Sequence, residues 1–270
     1  VISIDDDNFY RPADPFFTEH AVVAADHVTA MCVNSSDSWF NICRLLETQP
    51  SNVYPRGFPY SRRHQASELS QTTETSRVRI NAGLWLGEPD LDAMTWLVSP
   101  ARSTRPRSSS VVLGDRAWSP INTQNTALHR EVIVSYYFAK MGQPLPGVGS
   151  IDRYGDILSG YFAQACVRYR GDRIRVGTPL VDHRRNAHNY LRDATAEMGC
   201  VWLMEDLCPW LLNLKLQGAS YSEAYLSLAG ALDDAAGKFT GFIWTDALRA
   251  YVHDLAHCMR RWTGACASLA

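Results

Sequence analysis

Three consecutive aspartates, Asp5, Asp6 and Asp7, follow a β-branched run at the start of the sequence. Carboxylates this close repel one another unless a cation lies among them. A hard divalent ion such as Mg²⁺ or Mn²⁺ takes oxygen ligands of this kind, often with substrate phosphates completing its shell. A solvated acidic turn or a helix-capping cluster would contain the same residues. The triplet therefore predicts either a metal site or an exposed turn.

Arginines form a second group of candidates. Arg56 and Arg63 lie in one polar stretch, where a guanidinium can make two parallel hydrogen bonds to phosphate or sugar oxygens or can remain solvated. Arg102 and Arg105 lie in the basic segment 101–110, which predicts either an exposed flexible loop or a phosphate contact.

Three further side chains are suited to a binding site. His183 follows a predicted strand, and a neutral imidazole is an ordinary partner for Mn²⁺ beside carboxylates, although most single histidines lie in cores or at surfaces. Trp85 could stack on a sugar face or fill the core. Asp92 follows the turn signal at 87–90 and could bond to the backbone instead.

The elements that must position these side chains mix strands with helices. We expect a buried parallel strand at 1–4, a second strand at 174–181, and ligand binding beyond the carboxyl ends of such strands. Low apolar periodicity at 47–80 predicts long loops. Helices are predicted at 92–98, 126–140 and 156–168. The last of these has Asp156 near its N-terminus, where a carboxylate is favoured.

The sequence becomes helical from about residue 189 onward. Residues 222–235 and 244–262 show the clearest three- and four-residue apolar spacing. The predicted fold class is therefore α/β with a helical C-terminal region. We predict two units, an α/β core over 1–188 and a helical region over 189–270 that packs on it.

Composition narrows the class of protein. The 270 residues are 46% hydrophobic and 20% charged, with a net charge of -2, so a packed core is expected and no global field favours nucleic acid or an anionic membrane. Seven cysteines without a CxxC pair indicate reduced thiols and a cytoplasmic location. No apolar run approaches the length of a membrane span.

Several segments, taken in order, carry a resemblance to a known family. They are the aspartate triplet, Arg56 with the following Gly57-Phe58-Pro59-Tyr60-Ser61-Arg62-Arg63, the block Gly83-Leu84-Trp85-Leu86-Gly87-Glu88-Pro89-Asp90-Leu91-Asp92-Ala93, and Arg153-Tyr154-Gly155-Asp156. The chain resembles the reversibly glycosylated polypeptides, plant-type proteins that act as UDP-arabinopyranose mutases. The resemblance runs from Val1 to about Trp210 and is strongest between Gly83 and Ala93.

The resemblance implies a nucleotide-diphospho-sugar transferase fold of the A type, with a Rossmann-like sheet. In that fold an aspartate motif holds Mn²⁺ or Mg²⁺, which binds the diphosphate. Asp5 and Asp7 would be the metal-side carboxylates, His183 the third ligand, and Asp6 a contact to sugar or ribose. A chain seldom begins inside a buried strand, so we expect the part of the fold that recognises the base to precede Val1.

The resemblance also implies roles around the sugar. Arg56 matches the arginine that becomes glycosylated in the plant proteins, although a protonated guanidinium is a poor nucleophile and is better suited to binding substrate. Asp156 matches the second acid of an Arg-Tyr-Asp-Asp motif and could serve as general base, whereas Gly155 replaces the first acid. We further expect substrate contacts from Arg63, Trp85, Asp92, Arg102, Arg105 and Asn125, with Arg102 and Arg105 on the diphosphate.

The expected function is a flavin-independent, metal-dependent mutase that interconverts pyranose and furanose forms of a UDP- or GDP-linked sugar. Flavin independence is expected because the sequence contains no GxGxxG pattern for a dinucleotide. One alternative is a glycosyltransferase or self-glycosylating protein that uses the same donor. Another is a non-catalytic partner subunit. The family resemblance further implies a homo-oligomer.

Overall fold

A computed structural model describes residues 1–12 and 14–268. Its strands are β1 (Ile2–Ile4), β2 (Asn8–Tyr10), β3 (Val28–Ser35), β4 (Leu46–Gln49), β5 (Leu69–Ser76), β6 (Val78–Gly87), β7 (Arg102–Pro106), β8 (Val111–Leu113), β9 (Asn125–Leu128), β10 (Gln143–Leu145), β11 (Gly149–Ile151) and β12 (Arg173–His183). Its α-helices are α1 (Phe16–His20), α2 (Ala93–Val98), α3 (Gly155–Tyr169), α4 (Tyr190–Asn213), α5 (Tyr221–Ala236) and α6 (Asp246–Ala267).

A ten-stranded mixed sheet forms the centre of the fold, with the main strand order β1-β9-β6-β12-β8-β3-β5. The neighbours β6 and β12 run parallel, as do β3 and β8, whereas β1 and β9, β9 and β6, and β3 and β5 run antiparallel. Of the remaining strands, β2 pairs with β12, and β7 pairs with β6 and β4, whereas β10 and β11 form a separate hairpin. This arrangement confirms the α/β class and the nucleotide-diphospho-sugar transferase type of sheet.

The central pair β6 and β12 is buried because helices and loops cover both of its faces. Nearly every residue of β6 is buried, which is typical of a strand that runs parallel to its neighbour inside an α/β sheet. Both strands end at the same edge, where His183 of β12 lies opposite Gly87 of β6. The residues that follow these two strand ends therefore meet, as the strand-end argument predicts.

The prediction of a buried parallel strand at 1–4 is wrong. β1 runs antiparallel to β9, and its side chains Ile2 and Ile4 are 37% and 42% exposed. Apolar β-branched residues favour a strand, but they do not distinguish a central strand from one at the end of a sheet.

Two other local predictions fail because contacts distant in sequence decide the structure. Segment 47–80 contains the polar strand β5, whose Thr-rich residues pair along the whole of β3 and stay exposed. Segment 126–140 begins within β9, which pairs with β1 and β6, and continues as a 3₁₀ helix at Arg130–Ser135 instead of an α-helix. Backbone pairing on both sides of β9 overrides its helix-like periodicity.

The helical predictions for the rest of the chain are confirmed. Helix α2 begins after Asp92, α3 covers nearly the predicted range, and α4 to α6 follow in order. Apolar residues from the strands and from α3 to α6 share one buried cluster, and the boundary at residue 188 stays a prediction. Within residues 1–12 and 14–268, no helix is long and apolar enough to span a bilayer.

Candidate active site

Five of the predicted site residues line one cavity of about 790 Å³. Asp5 and Asp7 come from the turn between β1 and β2, and His183 from the end of β12. Arg56 lies in a loop after β4, and Asp156 in the first turn of α3. The fold thus brings together side chains that are far apart in the sequence of the α/β region.

The pairing of β2 with β12 places Asp7 beside His183. Asn8 lies opposite His183 in this antiparallel ladder, and the amide of Arg184 donates to the carbonyl oxygen of Asp7 at 2.9 Å. As a result, Nε2 of His183 lies 3.4 Å from Oδ2 of Asp7. Nδ1 of the same ring lies 2.5 Å from the carbonyl oxygen of Glu88. Since a carbonyl can only accept, Nδ1 carries a hydrogen, and Nε2 is the ring nitrogen that faces Asp7.

The surroundings of Asp5 disfavour the ionised form of its carboxyl group. Burial raises the pKa of its carboxyl group from 3.8 to about 6, and the nearby carboxylates of Asp156, Asp7 and Asp90 add to this, while Arg56 opposes it. A cation bound between Asp5 and Asp7 would favour both ionised forms.

The donor types suit a hard divalent ion, although the side chains do not already surround one. Two carboxylates and one imidazole with an oriented Nε2 atom form an ordinary ligand set for Mn²⁺ and an acceptable one for Mg²⁺. In the described ranges, no three or more His, Cys, Asp or Glu side chains converge closely enough to hold a metal ion. Metal binding by Asp5, Asp7 and His183 therefore stays a prediction.

Arg56 is buried between two carboxylates. Its Nε and Nη2 atoms donate to Asp90 at 3.0 Å each, and Nη1 and Nη2 donate to Asp156 at 3.2 and 2.9 Å. Nη1 also donates to the carbonyl oxygen of Arg153, a residue with φ of 58° in the left-handed region. These bonds use all of the donors that a guanidinium carries. Arg56 therefore fixes both carboxylates and has no donor left for a substrate.

Asp90 is one of the site residues that the sequence prediction missed. Its Oδ2 atom also accepts from Nδ2 of Asn122 at 2.7 Å. Burial would raise the pKa of Asp90, but the Arg56 guanidinium outweighs burial and holds it below the ordinary value. The same two carboxylates hold the pKa of Arg56 well above its ordinary value although burial acts in the opposite direction. The turn signal at 87–90 hid Asp90, because turn formation alone explains an aspartate there.

Three further arginines line the cavity. Arg153 pairs with Asp193 and Glu197, and the sequence prediction missed Arg185 and Arg192. Arg185 packs over the rings of Trp96 and Tyr190, with its Cζ atom 4.8 and 5.6 Å from the ring centroids. Its Nη1 atom is buried and lacks a hydrogen-bond partner within the described chain. Arg192 lies in the first turn of α4 and is exposed. A signal existed in the sequence, since Arg184 and Arg185 directly follow His183.

An apolar wall completes the cavity where the family motif is interrupted. A side chain at Gly155 would clash with the carbonyl oxygen of Ala139 and the ring of Phe138, and would press on Met141. Phe138 and Met141 both line the cavity and are 46% and 42% exposed. Glycine at 155 thus lets an apolar segment approach α3.

The predicted substrate contacts Arg63 and Asp92 bind each other instead of lining this cavity. Nη2 of Arg63 lies 2.6 Å from Oδ2 of Asp92, and the hydroxyl of Tyr60 donates to Oδ1 of Asp92 at 2.8 Å. Asp92 also caps α2, since its Oδ1 atom accepts from the amide of Thr95 at 2.8 Å. Both side chains are buried, so the pair stabilises the loop that carries Arg56.

The other predicted contacts also lie outside the cavity lining. Asn125 is fully buried and donates to the carbonyl oxygen of Pro179 at 2.9 Å, and Trp85 is a core residue at 2% exposure. Asp6 is exposed at the turn after β1. Arg102 and Arg105 lie on the exposed strand β7, where Arg105 pairs with Glu47. Their roles in substrate binding stay predictions.

Comparison with known proteins gives a family for this arrangement. The family model described as "Reversibly glycosylated polypeptide" matches residues 1–269. The Arabidopsis thaliana protein "Probable UDP-arabinopyranose mutase 4" is 30% identical over 227 residues, which are 83% of this chain and 57% of that protein. "UDP-arabinopyranose mutase 2" of the same plant is 26% identical over 267 residues, covering 97% and 66%. A Pisum sativum relative, "Probable UDP-arabinopyranose mutase 1", is 26% identical over 270 residues, covering 98% and 66%. The chain therefore spans 57% to 66% of the length of these relatives.

Proposed function

The chain belongs to the reversibly glycosylated polypeptide family, and we propose that it acts as a nucleotide-sugar mutase that interconverts pyranose and furanose forms. Its relatives named UDP-arabinopyranose mutase make UDP-arabinopyranose the first substrate to test. One observation carries the proposal. Asp5, Asp7 and His183 share a cavity with the buried cluster of Arg56, Asp90 and Asp156, so that a diphosphate and a sugar can be bound side by side.

The metal end of the cavity is formed by Asp5, Asp7 and His183, which would hold Mn²⁺ or Mg²⁺. Such an ion would neutralise the charge that develops on the diphosphate as the anomeric bond breaks. Glu88 orients the imidazole through its carbonyl oxygen, and the β2–β12 ladder holds Asp7 beside it. No flavin is part of this proposal.

Arg185 and Arg192 are the proposed diphosphate contacts on the protein side. Arg185 packs against two aromatic rings and keeps a buried Nη1 donor unpaired within the described chain. Leaving a buried donor unsatisfied is unfavourable, and phosphate oxygens accept from a guanidinium in a bidentate manner. Arg185 is therefore better suited to this contact than Arg56, whose donors are all used inside the protein.

The sugar end is formed by Asp156, with Phe138 and Met141 packed at the neighbouring Gly155. Arg56 fixes the Asp156 carboxylate, which keeps lone pairs free to accept from a ring hydroxyl. Asp156 can take the proton from the hydroxyl that bonds to the anomeric carbon, and can return it to the old ring oxygen as the bond between that oxygen and the anomeric carbon breaks. Its negative charge favours an oxocarbenium-like sugar. The apolar side chains cover the C–H face of the sugar and exclude water that would hydrolyse it.

In this proposal Arg56 is a positioning residue that does not accept the sugar. A guanidinium must lose a proton before it can act as a nucleophile, and Asp156 and Asp90 raise the pKa of Arg56 although burial lowers it. Covalent glycosylation of Arg56 would require both ion pairs to open.

The nucleotide, assembly and compartment belong to the same proposal. UDP is the first choice on the names of the relatives, with GDP as the alternative. Every cysteine of the chain is free, which suits a reducing compartment such as the cytoplasm. A homo-oligomer is expected from the family resemblance alone.

Incubation with UDP-arabinopyranose and Mn²⁺, without an acceptor, tests the function. Formation of UDP-arabinofuranose, identified by proton NMR after chromatography, supports a mutase. Hydrolysis alone, or transfer of arabinose to the protein alone, would instead identify a transferase. Absence of any turnover in the presence of bound substrate would favour a non-catalytic partner subunit.

A further inference from the structure

We propose that a second cavity, of about 470 Å³, binds an organic phosphate with a ring-shaped body. This cavity shares no lining residue with the candidate active site. The loop after β4 separates the two, because Arg56 lines the first cavity while Tyr54, Phe58 and Arg62 line the second. The inference does not depend on the proposed mutase reaction.

Three arginines give the second cavity its charge. The antiparallel ladder of β4 and β7 pairs Leu46 with Pro106, and the amide of Arg107 donates to the carbonyl oxygen of Leu45 at 2.7 Å. This register brings Arg107 close to Arg44 at the same end of the ladder. Arg62 reaches the cavity from the 3₁₀ turn Tyr60–Arg62.

These positive charges lack carboxylate partners. Arg44, Arg62 and Arg107 form no ion pair with a carboxylate in ranges 1–12 and 14–268, whereas Arg63, Arg105 and other arginines nearby do. The one acidic residue of the lining, Asp37, accepts hydrogen bonds from the hydroxyl of Ser35 and the amide of Trp39. Like charges gathered around a concave surface without an internal counter-ion favour a bound anion.

Three aromatic side chains, Trp39, Tyr54 and Phe58, line the cavity. Trp39 packs on Phe58 with ring centroids 5.7 Å apart, and Tyr54 packs on Phe58 at 5.1 Å. Trp39 is 3% exposed, and its Nε1 donor has no hydrogen-bond partner in the described chain.

The positive charge of the arginines and the aromatic lining together define the class of ligand. Three guanidinium groups match a phosphate dianion, and rings favour a planar or cyclic body. The cavity volume lies within the range of roughly 300–1,000 Å³ that is usual for small-molecule sites. We therefore assign an organic phosphate, in which the phosphate contacts the arginines and the ring lies over Trp39, Tyr54 and Phe58.

Phenyl phosphate is a suitable probe because it combines the two parts. It is titrated into the metal-free protein by isothermal calorimetry, next to inorganic phosphate, for the wild type and for Arg44→Ala, Arg107→Ala and the control Arg261→Ala. Arg261 is exposed on α6, far along the chain, and outside both cavities. The two test residues are exposed as well, so folding is expected to be unaffected and is checked by circular dichroism.

The expected result is tighter binding of phenyl phosphate than of inorganic phosphate, and a loss of about tenfold or more in affinity for Arg44→Ala and Arg107→Ala. Arg261→Ala should bind like the wild type, and all three variants should keep the mutase activity of the wild type. Absence of binding to the wild type would overturn the assignment. So would an equal loss in Arg261→Ala. Arg185→Ala is titrated in parallel, and a loss confined to that variant would also overturn the assignment, since it would place the probe in the first cavity.

Discussion

Nε2 of His183 lies 3.4 Å from Oδ2 of Asp7, although the two residues are 176 positions apart in the sequence. The contact results from the antiparallel ladder between β2 and β12, in which His183 is paired with Asn8. A hydrogen bond to Glu88 orients the ring from the other side. This relationship is the structural basis for the proposed metal site.

Removal of either metal ligand should weaken Mn²⁺ binding. We expect His183→Asn and Asp7→Asn to lower Mn²⁺ affinity by roughly 10–100-fold, because each removes a donor from a set of three. Electron paramagnetic resonance of free Mn²⁺ measures this directly. Asp182→Asn is the matched control, since Asp182 neighbours His183 but lies outside the cavity lining. Equal affinity of His183→Asn and the control would contradict the assignment.

The raised pKa of Asp5 predicts that the metal-free protein becomes less stable as the pH rises. Burial, together with the charges of Asp156, Asp7 and Asp90, raises this pKa from 3.8 to about 6, so the folded state binds the Asp5 proton more tightly than the unfolded state. The free energy of unfolding therefore falls as the pH rises from about 4 to 6. Below this window the proton is bound in both states, and above it in neither.

The side chain of Asn in the variant Asp5→Asn cannot titrate, so this variant should lack the pH-dependent loss of stability. Without metal, its melting temperature should match the wild type near pH 4 and exceed it by roughly 2 °C above pH 6, a value discounted for the partial exposure of Asp5. Calorimetric melting curves at several pH values measure the difference. A difference that stays constant with pH would show that charge at Asp5 is not its cause.

Arg56→Lys should destabilise the protein strongly. An ammonium group cannot replace a guanidinium that bonds to Asp90 and Asp156 at once, so at least one buried carboxylate loses its partner. We expect a decrease of about 3 kcal/mol in the free energy of unfolding, measured by urea denaturation. Arg105→Lys, at the exposed pair with Glu47, is the control and should show no measurable change. Similar stability of both variants would refute the positioning role of Arg56.

Arg185→Ala should weaken diphosphate binding with little effect on folding. Loss of a charge-assisted contact corresponds to roughly a tenfold or greater decrease in UDP affinity in the presence of Mn²⁺. Calorimetric titration of UDP provides the measurement. Arg184→Ala serves as the control, because Arg184 packs over Phe9 with its Cζ atom 5.1 Å from the ring and does not line the cavity. If the control loses as much affinity as Arg185→Ala, the effect is one of general charge.

The sequence was sufficient to predict that Asp5, Asp7 and His183 line one cavity. All three lie at strand ends, and strand ends in an α/β sheet meet at one edge. It was also sufficient for α2 and α3, because capping residues and apolar spacing are local signals.

The partners of individual charges could not be predicted in this way. Arg63 and Asp92 each suggested a substrate contact, yet they neutralise each other in a buried pair. Asp90 suggested only a turn, yet its carboxylate lies against Arg56. Which acid meets which base depends on tertiary contacts, and neither residue type nor spacing contains that information.

The most direct test of the central claim is positional isotope exchange in UDP-arabinopyranose with oxygen-18 between the anomeric carbon and the β-phosphorus. If the anomeric C–O bond breaks while the diphosphate stays bound, the β-phosphate can rotate and the label moves to a non-bridging position, which phosphorus NMR detects. The proposal predicts scrambling at least as fast as formation of the furanose. Formation of the furanose without scrambling, or the absence of both in the presence of Mn²⁺, would contradict it.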